Sequence, residues 1–499
     1  MNFLDSLIEA IAPRAAAKRL AARTAIGLMR DYEGAARGRR TDGWRTKPTS
    51  ANAEARRALP LLRDRARDLV RNNPYASRGV GVIASNMIGY GIKTTIKTSN
   101  KKTAPQLQAA FNRWAQSTDC DVEGQHDIYG LQEVCARAIV ESGEVLMRRI
   151  WRTSGDIPIQ LQVLEADYID THRDGEQYNG NDIIQGIEYD KHGRRVAYWL
   201  FDHHPGDTFW MMRSATVSQR IPADDIIHIY RMDRPGQGRG ISWFSPVVLR
   251  LRDLDEYEDA QLVRQKIAAC FAMFIGDMEG GAEQTGRNKA AEMVERLEPG
   301  IIQRLPAGTT ATMATPPSVQ GYAEYMDVSL HAVAVGLGVP YEALTGDYSK
   351  VNFTSGRMGF GQFHGLLDVW QWKMFIPKFC GGVFNWFIDA ASLAGYRTDG
   401  ASALYVPPRR ILVDPTREIP AKIKEIRAGL DTLPNAQRET GRDPEEMAKE
   451  IAESNDALDK LGIVLDSDPR RVTNGGQAQV DPGDGLFSGD ENTESKEAA

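Results

Sequence analysis

The fold is predicted to be organised around residues 330–393, which read LHAVAVGLGVPYEALTGDYSKVNFTSGRMGFGQFHGLLDVWQWKMFIPKFCGGVFNWFIDAASL. An apolar helix opens this stretch and ends at Gly338-Val339-Pro340, because proline cannot continue a helix and pushes the residue before it toward extended geometry. A second helix is expected to begin near residue 354, with Asn352, Thr354 or Ser355 as its N-cap. Its apolar residues lie three or four positions apart, on one helical face: Phe360, Phe363, Leu367, Trp370 and Met374.

The segment Gly346–Phe353 lies between these two helices and has no apolar period of its own. Several of its residues favour turns, so the sequence predicts a loop that is held at both ends and presented to a partner. Further along, Pro377 interrupts the second helical pattern, and we expect a kink near residues 375–378.

Composition sets limits on the class of protein. A chain of 499 residues is too long for one ordinary core, and 42% hydrophobic with 26% charged residues indicates a soluble globular protein. The net charge of −6 argues against a nucleic-acid binder that is basic throughout. The charge is uneven, however: residues 1–78 hold 17 basic against 8 acidic residues, and residues 466–499 hold 8 acidic against 3 basic ones. This pattern predicts a basic arm and a solvated acidic tail.

The cysteines and the apolar runs give two further expectations. Cys120, Cys135, Cys270 and Cys380 are far apart and follow no paired spacing, which is typical of reduced, packed thiols. No apolar run approaches 18 residues, so no transmembrane helix and no membrane partner are expected. At the N-terminus the apolar residues precede the basic ones, which is the reverse of a secretory signal.

The order of patterns along the chain predicts an α+β fold. Helical patterns cover most of residues 59–142 and end with a helix at Ile128–Ser142, and strand patterns with hairpin turns cover residues 144–230. The predicted strands include Glu144–Trp151, Ile184–Tyr189 and Ile226–Tyr230. Ser242–Ile275 is the longest predicted helix. A small unit then follows, with one helix (residues 288–297) and two strands (300–305 and 309–314). Short charged helices are predicted at residues 421–428 and 445–452, and disorder from residue 466.

No constellation of residues predicts an enzyme. His203 and His204, with Asp202 and Asp207, form the most plausible metal cluster, but adjacent histidines on a strand point to opposite faces. Cys120, His126 and Cys135 lack the spacing of a zinc site. The glycine-rich run at residues 236–240 lacks the lysine and spacing of a P-loop, and we interpret it as a flexible connection. We therefore predict no catalytic residue, no metal ligand and no cofactor.

In several segments the sequence resembles the lambda family of phage portal proteins. The segments share their order with that family over about 300 residues, although none is as specific as a catalytic signature. They are Leu62–Tyr75, Ile83–Ile92, Gly143–Leu146, Leu164–Asp167, Gly236–Pro246, Leu337–Tyr341 and Asn352–Arg357.

The resemblance implies a portal fold that assembles as a dodecameric ring at one vertex of the virion capsid, with assembly in the host cytoplasm. The implied parts are a basic arm (1–58), an α/β wing (59–241), two stem helices (242–275 and 319–345) around a small protruding α/β clip (276–318), a tunnel loop (346–353), a kinked helix with a return to the wing (354–413), a helical crown (414–465) and an acidic tail (466–499). Such a ring nucleates head assembly, docks the terminase, conducts double-stranded DNA and joins head to tail. The implied partners are the terminase large subunit, the major capsid and scaffold proteins and the head–tail adaptor proteins.

The resemblance also implies which residues line the DNA channel. In the tunnel loop and at the start of the next helix these are Asp347, Tyr348, Ser349, Lys350, Val351, Asn352 and Arg357. On the first stem helix, Asp255, Glu258 and Asp259 are expected to face the lumen and repel DNA. The alternative for these acidic residues is an ordinary solvated helix face, and the alternative for Lys350 is an ion pair with Asp347 or with an acid of a neighbouring subunit.

Two other functions remain open from the residues alone. One is a magnesium-dependent nucleic-acid-processing enzyme, which needs two or three carboxylates converging in one pocket. The other is a capsid or tail scaffold protein that does not contact DNA and has no lumen wide enough for a duplex.

Overall fold

The computed structural model describes residues 48–465 with gaps at 101, 153–154, 178, 208–216, 270–272, 277–301, 306–320 and 411–413, and a few single positions outside that range. The chain divides into two units, residues 1–54 and 55–499. In the first unit, the Ser50 hydroxyl accepts a hydrogen bond from the backbone N–H of Ala53 at 3.2 Å. This contact caps a helix that begins at Ala51, inside the stretch that the sequence assigned to the arm.

The fold is mixed helix and strand, as predicted. The helices, in chain order, are α1 (Ala51–Asn72), α2 (Pro74–Ile88), α3 (Ala104–Ala115), α4 (Ile128–Ser142), α5 (Val248–Ala269), α6 (Tyr322–Leu337), α7 (Tyr341–Thr345), α8 (Phe353–Trp370), α9 (Gly381–Leu393), α10 (Pro415–Arg427), α11 (Leu433–Glu439) and α12 (Pro444–Leu461). A π-helix, Gln371–Cys380, joins α8 to α9.

Twelve strands are described. They are β1 (Lys93–Lys97), β2 (Glu144–Trp151), β3 (Ile159–Glu165), β4 (Gly175–Glu176), β5 (Asp182–Ile184), β6 (Ile187–Tyr189), β7 (Arg195–Phe201), β8 (Ser218–Pro222), β9 (Ile226–Tyr230), β10 (Met273–Gly276), β11 (Ile302–Leu305) and β12 (Ser402–Val406).

The strands of residues 144–230 form two antiparallel sheets. The first has the order β3-β2-β9 and the second the order β4-β5-β6-β7-β8. Between them lies a small apolar cluster that includes Leu146, Tyr198 and Ile226. The hairpins predicted from alternating residues are thus present, because one face of each sheet is buried against its neighbour.

The main core lies where α2, α3 and α4 meet the helix after residue 380. Phe111 of α3 packs edge-on against Phe387 of α9, with ring centroids 5.0 Å apart. Trp243 and Trp370 pack at 4.6 Å in the same cluster. The helices within residues 354–393 therefore pack against those within residues 74–142 to form one core. Among the described cysteines, Cys120, Cys135 and Cys380 are buried free thiols, as predicted.

Two small sheets join distant parts of the chain. β1 pairs antiparallel with β12, with Lys93 opposite Val406. β10 pairs in parallel with β11, with Met273 opposite Ile302. β10 lies at the start of the segment that was predicted to protrude between the stem helices, and β11 lies within it. The helix expected at 288–297 and the strand expected at 309–314 lie outside the described residues.

Several sequence-based boundaries are wrong, among them the helix predicted at residues 421–428, which spans Pro415–Arg427. The helix predicted over Ser242–Ile275 spans only Val248–Ala269, because Trp243 and Phe244 are buried in the main core and Met273–Gly276 pairs as a strand. The single strand predicted at residues 184–189 is two strands, since Gln185 and Gly186 turn the chain with φ of 51° and 78°. The short helix predicted at residues 445–452 runs from Pro444 to Leu461.

Pro377 does not end its helix. It lies inside the π-helix Gln371–Cys380, where wider turns accommodate a residue that has no backbone N–H. The segment begins at Gln371, which is fully buried and donates a hydrogen bond to the backbone oxygen of Met87 at 2.6 Å. The interruption was thus predicted at the right place, and its form is a change of helix type.

Candidate nucleic-acid interface

The loop of residues 346–352 is fixed at both ends by helix caps. Gly346 ends α7 in the left-handed conformation, and its N–H donates to the Glu342 oxygen at 2.8 Å. At the other end the Asn352 side chain accepts from the Ser355 N–H at 2.8 Å, and the Ser355 hydroxyl accepts from the Asn352 N–H at 3.3 Å. This capping box confirms Asn352 as the N-cap of α8.

Between its ends the loop is ordered mainly by its own polar groups. The Asp347 carboxylate accepts from the Ser349 N–H at 2.9 Å, and the Val351 N–H donates to the Tyr348 oxygen at 3.3 Å. Tyr348 and Lys350 are exposed, with 72% of the Lys350 side chain accessible. The loop thus presents an aromatic ring and an ammonium group on a locally ordered backbone.

Lys350 has a partner in its own chain. Its Nζ lies 3.0 Å from Oδ2 of Asp327, which is on α6. The hydrogen bond from Lys350 lowers the pKa of Asp327, and the same contact raises the pKa of Lys350. The ion pair considered for Lys350 therefore forms within one chain, with Asp327 rather than Asp347 as the acceptor.

Arg357, on the first turns of α8, also contacts an acid. Its guanidinium lies 3.5 Å from Glu418 of α10. Half of the Arg357 side chain is exposed, so the charge is accessible from solvent while it ties α8 to the helices after residue 414.

The three acidic residues of α5 are not equivalent. Asp255 accepts a hydrogen bond from the Asn73 amide at 2.6 Å, and Asn73 also caps α2. Glu258 is bonded to Tyr322 of α6. Partial burial raises the pKa of both carboxyl groups. Asp259 is exposed. Two of the three therefore face other helices of the same chain, and their orientation toward a lumen stays a prediction.

A buried charged cluster that is absent from the sequence-based predictions centres on Glu144. The Glu144 carboxylate accepts from Arg239 Nε at 3.0 Å, from the Gly240 N–H at 2.8 Å and from His228 Nε2 at 3.0 Å. Arg63 lies 4.0 Å away and pairs with Asp167 at 2.9 Å. The side chains of Glu144, His228 and Arg239 are at most 2% exposed.

The protonation states of this cluster follow from its geometry. Burial alone would raise the pKa of Glu144, but the charge of Arg239 and the hydrogen bond from His228 outweigh it and hold that pKa below its usual range. Burial lowers the pKa of His228, although its bond to Glu144 acts in the opposite direction. At neutral pH Glu144 is therefore a carboxylate and His228 a neutral imidazole.

This cluster overturns one interpretation of the sequence. The run at residues 236–240 is not a flexible connection, since Gln237 and Arg239 are buried. The Gln237 amide donates to the Arg239 oxygen at 2.8 Å, and a side chain at Gly240 would meet the Gly143 oxygen at 2.2 Å. A signal was present in the sequence, because Arg63, Glu144, Asp167 and Arg239 all lie in segments that carry the family resemblance.

The residues considered for a metal cluster, and not predicted to form one, have separate partners. His204 Nε2 lies 3.1 Å from Glu165, whereas Asp202 accepts from the Gln219 amide. Within the described residues, Glu165, Asp167 and His204 form a group with ligand atoms within 4.8 Å of one another. Arg67 donates to Glu165 at 2.9 Å and to Asp167 at 2.7 Å, so a guanidinium already binds both carboxylates of this group. The group is best described as an ion-pair network.

The basic groups described above, Arg63, Arg67, Arg239, Lys350 and Arg357, each lie within 4.0 Å of a carboxylate. The family model described as phage portal protein, lambda family, matches residues 37–371. The chain therefore belongs to the lambda family of phage portal proteins. This confirms the predicted structural, non-enzymatic class.

Individual relatives agree with this assignment. The chain is 26% identical over 471 residues to a probable portal protein of Halomonas phage phiHAP-1, covering 87% of this chain and 88% of the relative. It is 22% identical to the portal protein of Escherichia phage N15, covering 83% and 87%, and 21% identical to portal protein B of Escherichia phage lambda, covering 78% and 82%.

Among solved structures, a chain from the neck of a native gene transfer agent particle, computed with C12 symmetry, is 15% identical with a TM-score of 0.42. That match covers 76% of this chain and 94% of the other. In the part of the chain that the structure describes, no helix is both long and apolar enough to cross a membrane.

Proposed function

We propose that this chain assembles into a closed, dodecameric ring at the portal vertex of a phage head. The ring nucleates head assembly in the host cytoplasm with the major capsid and scaffold proteins, docks the terminase large subunit and receives head–tail adaptor proteins. Double-stranded DNA passes through it during packaging and ejection. Family membership supports this proposal, since the matched region covers residues 37–371.

The DNA contact is assigned to the loop of residues 346–353, with Lys350 as the phosphate contact. The observation that carries this assignment is the capped, exposed loop itself. Its ends are fixed by Gly346 and the Asn352 capping box, and Lys350 is its sole basic residue. A flexible ammonium follows moving phosphates without imposing one geometry, and a backbone contact carries no sequence preference.

The conduit must let DNA pass without holding it. Affinity for DNA rises steeply with the number of phosphates neutralised, so a dense basic lining would stop the duplex. Carboxylates repeated around a ring would instead keep the duplex centred. We assign this role to Asp255, Glu258 and Asp259, of which Asp259 is the most exposed.

Two measurements test the proposal. Electron microscopy of the purified protein is expected to show rings with a central hole, and a monomer or a twofold dimer under assembly conditions would contradict it. In packaging reactions, Lys350→Ala is expected to leave ring formation and terminase docking intact while reducing retention of packaged DNA. Lys191→Ala, in the turn between β6 and β7, is the matched control. Normal retention by Lys350→Ala across a range of salt would place the DNA contact elsewhere.

A further inference from the structure

The two partners of the Lys350–Asp327 ion pair differ in how firmly the fold holds them. Lys350 is in a loop, on a long side chain that is 72% exposed, whereas Asp327 lies on α6 with 31% of its side chain exposed. The acid is therefore the anchored partner. The lysine is the one that can leave.

Neighbouring side chains hold Asp327 where it is. His331, one helical turn further along α6, donates from Nδ1 to the backbone oxygen of Asp327 at 2.7 Å and has Nδ1 3.6 Å from Oδ1, and the Tyr341 hydroxyl helps to lower the pKa of Asp327. The rings of His331 and Tyr341 stack with centroids 3.9 Å apart and an interplanar angle of 8°. The stacked pair thus ties α6 to α7 beside the carboxylate and fixes the position to which Lys350 returns.

We propose that Asp327 is a built-in competitor for DNA phosphate at Lys350. With no duplex in place, Asp327 holds the ammonium. When a phosphate approaches, the lysine exchanges one oxygen anion for another, and it returns when the phosphate moves on. This inference rests on the proposed role of Lys350 as the phosphate contact and adds the group that limits its strength.

The exchange follows from the exposure of the pair. An exposed ion pair gains little net free energy and is screened by salt, so either partner can be replaced at small cost. A free lysine would neutralise a phosphate outright, and counterion release would make each copy in a ring add to the affinity. A lysine that must first leave Asp327 contributes only the difference between two similar contacts. DNA then slides past each copy with little resistance.

The test removes the competing charge and leaves the lysine. Binding of a short duplex to assembled Asp327→Asn rings is measured by fluorescence anisotropy over a series of salt concentrations. We expect the affinity for the duplex at low salt to rise by about 2- to 5-fold or more, since one exposed ion pair is removed per subunit. We also expect the salt dependence of binding to steepen. Glu324→Gln is the matched control. It removes one exposed negative charge per subunit from α6, the helix that carries Asp327.

The Lys350→Ala background separates this inference from the proposed function. If Asp327 acts through Lys350, Asp327→Asn changes nothing once Lys350 is absent. If Lys350→Ala alone has no effect on DNA binding or retention, the proposed contact itself is wrong. If Lys350→Ala weakens binding but Asp327→Asn behaves like Glu324→Gln, the contact stands and the competitor is overturned.

A second variant covers the case in which Asp327→Asn rings do not assemble. Tyr341→Phe keeps every charge and removes a hydroxyl that, like Lys350, lowers the pKa of Asp327. Without this hydroxyl the carboxylate holds the ammonium of Lys350 more strongly, so duplex affinity is expected to fall, by a smaller factor than Asp327→Asn raises it. Affinity equal to that of the unmodified ring at every salt concentration would count against the proposal.

Discussion

The Glu144 cluster and the Lys350–Asp327 pair use the same chemistry in opposite surroundings. Both join a carboxylate to a basic group at about 3.0 Å. The Glu144 and Arg239 side chains are at most 2% exposed, whereas the Lys350 side chain is 72% exposed. Burial, more than distance, therefore decides whether an ion pair fixes a structure or can be exchanged.

The physical reason is solvation. A buried charge that loses its partner has no water to replace it, so breaking one member of a buried pair is strongly destabilising. A surface charge that loses its partner is hydrated at once, and its contribution to stability is small. The sheet β3-β2-β9 is therefore held to the segment before α5 by a buried charged contact, and the loop is held to α6 by an exposed ion pair that contributes little to stability.

The largest expected effect comes from removing the centre of the buried cluster. Glu144→Ala leaves Arg239 without its carboxylate and is expected to destabilise the fold by about 3–5 kcal/mol. Chemical unfolding monitored by tryptophan fluorescence would measure it. The control is Glu256→Ala, whose carboxylate makes an exposed i,i+4 pair with Arg252 and should change little. Equal losses for both variants would show that burial does not separate the two kinds of pair.

Acid should weaken the buried cluster next. The pKa of Glu144 is lowered in the fold, so its contribution is present above its ordinary value of 4.5 and is lost as pH falls. The pKa of His228 is also lowered, so below its ordinary value of 6.5 the unfolded chain takes up a proton that the fold does not. Both signs agree, and stability should fall from about pH 6.5 downward by up to ~1.4 kcal/mol per pH unit for each proton.

Unfolding midpoints between pH 7.5 and pH 5 would check this, with His228→Gln as the comparison. That variant is expected to flatten the upper part of the profile, because its side chain does not titrate. An unchanged slope in His228→Gln would assign the acid sensitivity to other groups. The Lys350–Asp327 pair should contribute nothing in this window, since the lowered pKa of Asp327 and the raised pKa of Lys350 both lie outside it.

A smaller effect is expected from the acids of α5, and it divides them. Asp255→Lys removes the acceptor of Asn73, which caps α2, so it should lower stability as well as slow packaging. Asp259→Lys changes an exposed charge and should slow packaging with stability intact. Packaging rates and unfolding midpoints of both variants would be compared. Full-speed packaging by Asp259→Lys would favour a solvated helix face over a lumen-facing one.

The smallest effect is expected at the C-terminus. Truncation after Leu465 should leave ring assembly unchanged, because residues 466–499 have too few apolar side chains to bury a surface of their own. Size-exclusion chromatography and particle images would test this. Loss of the oligomer would mean that the tail packs on the crown or on a capsid partner.

The sequence predicted local features well where a single short pattern carried the signal. The bounds of Ile128–Ser142, Glu144–Trp151 and Ile226–Tyr230 match the structure, and Asn352 caps its helix as one of the predicted candidates. These elements follow from periodicity and capping, which depend on neighbours within a few residues.

What the sequence did not predict depends on partners far along the chain. Arg239 is buried because Glu144 lies opposite it, and no local pattern reveals that pair. Trp243 and Phe244 lie outside the helix that was predicted to include them, because they pack in the core that contains Trp370. In the candidate interface the loop was predicted one residue too long, since Phe353 begins α8. Its partner Asp327 was not predicted, because an exposed ion pair has no signature in composition or periodicity.

The pairing of β1 with β12 has a consequence for how the chain is made. In the part of the chain that the structure describes, Lys97 of β1 lies opposite Ser402 of β12, and β1 has no other strand beside it. At a synthesis rate of roughly 5–20 residues per second, β1 leaves the ribosome about 15–60 s before its partner does. For that interval the nascent chain carries an open strand edge, which is a template for pairing with other chains. A subunit therefore covers the open edge of β1, and can assemble without mispairing there, only after β12 has been translated. This separates the onset of oligomerisation from the folding of the N-terminal helices.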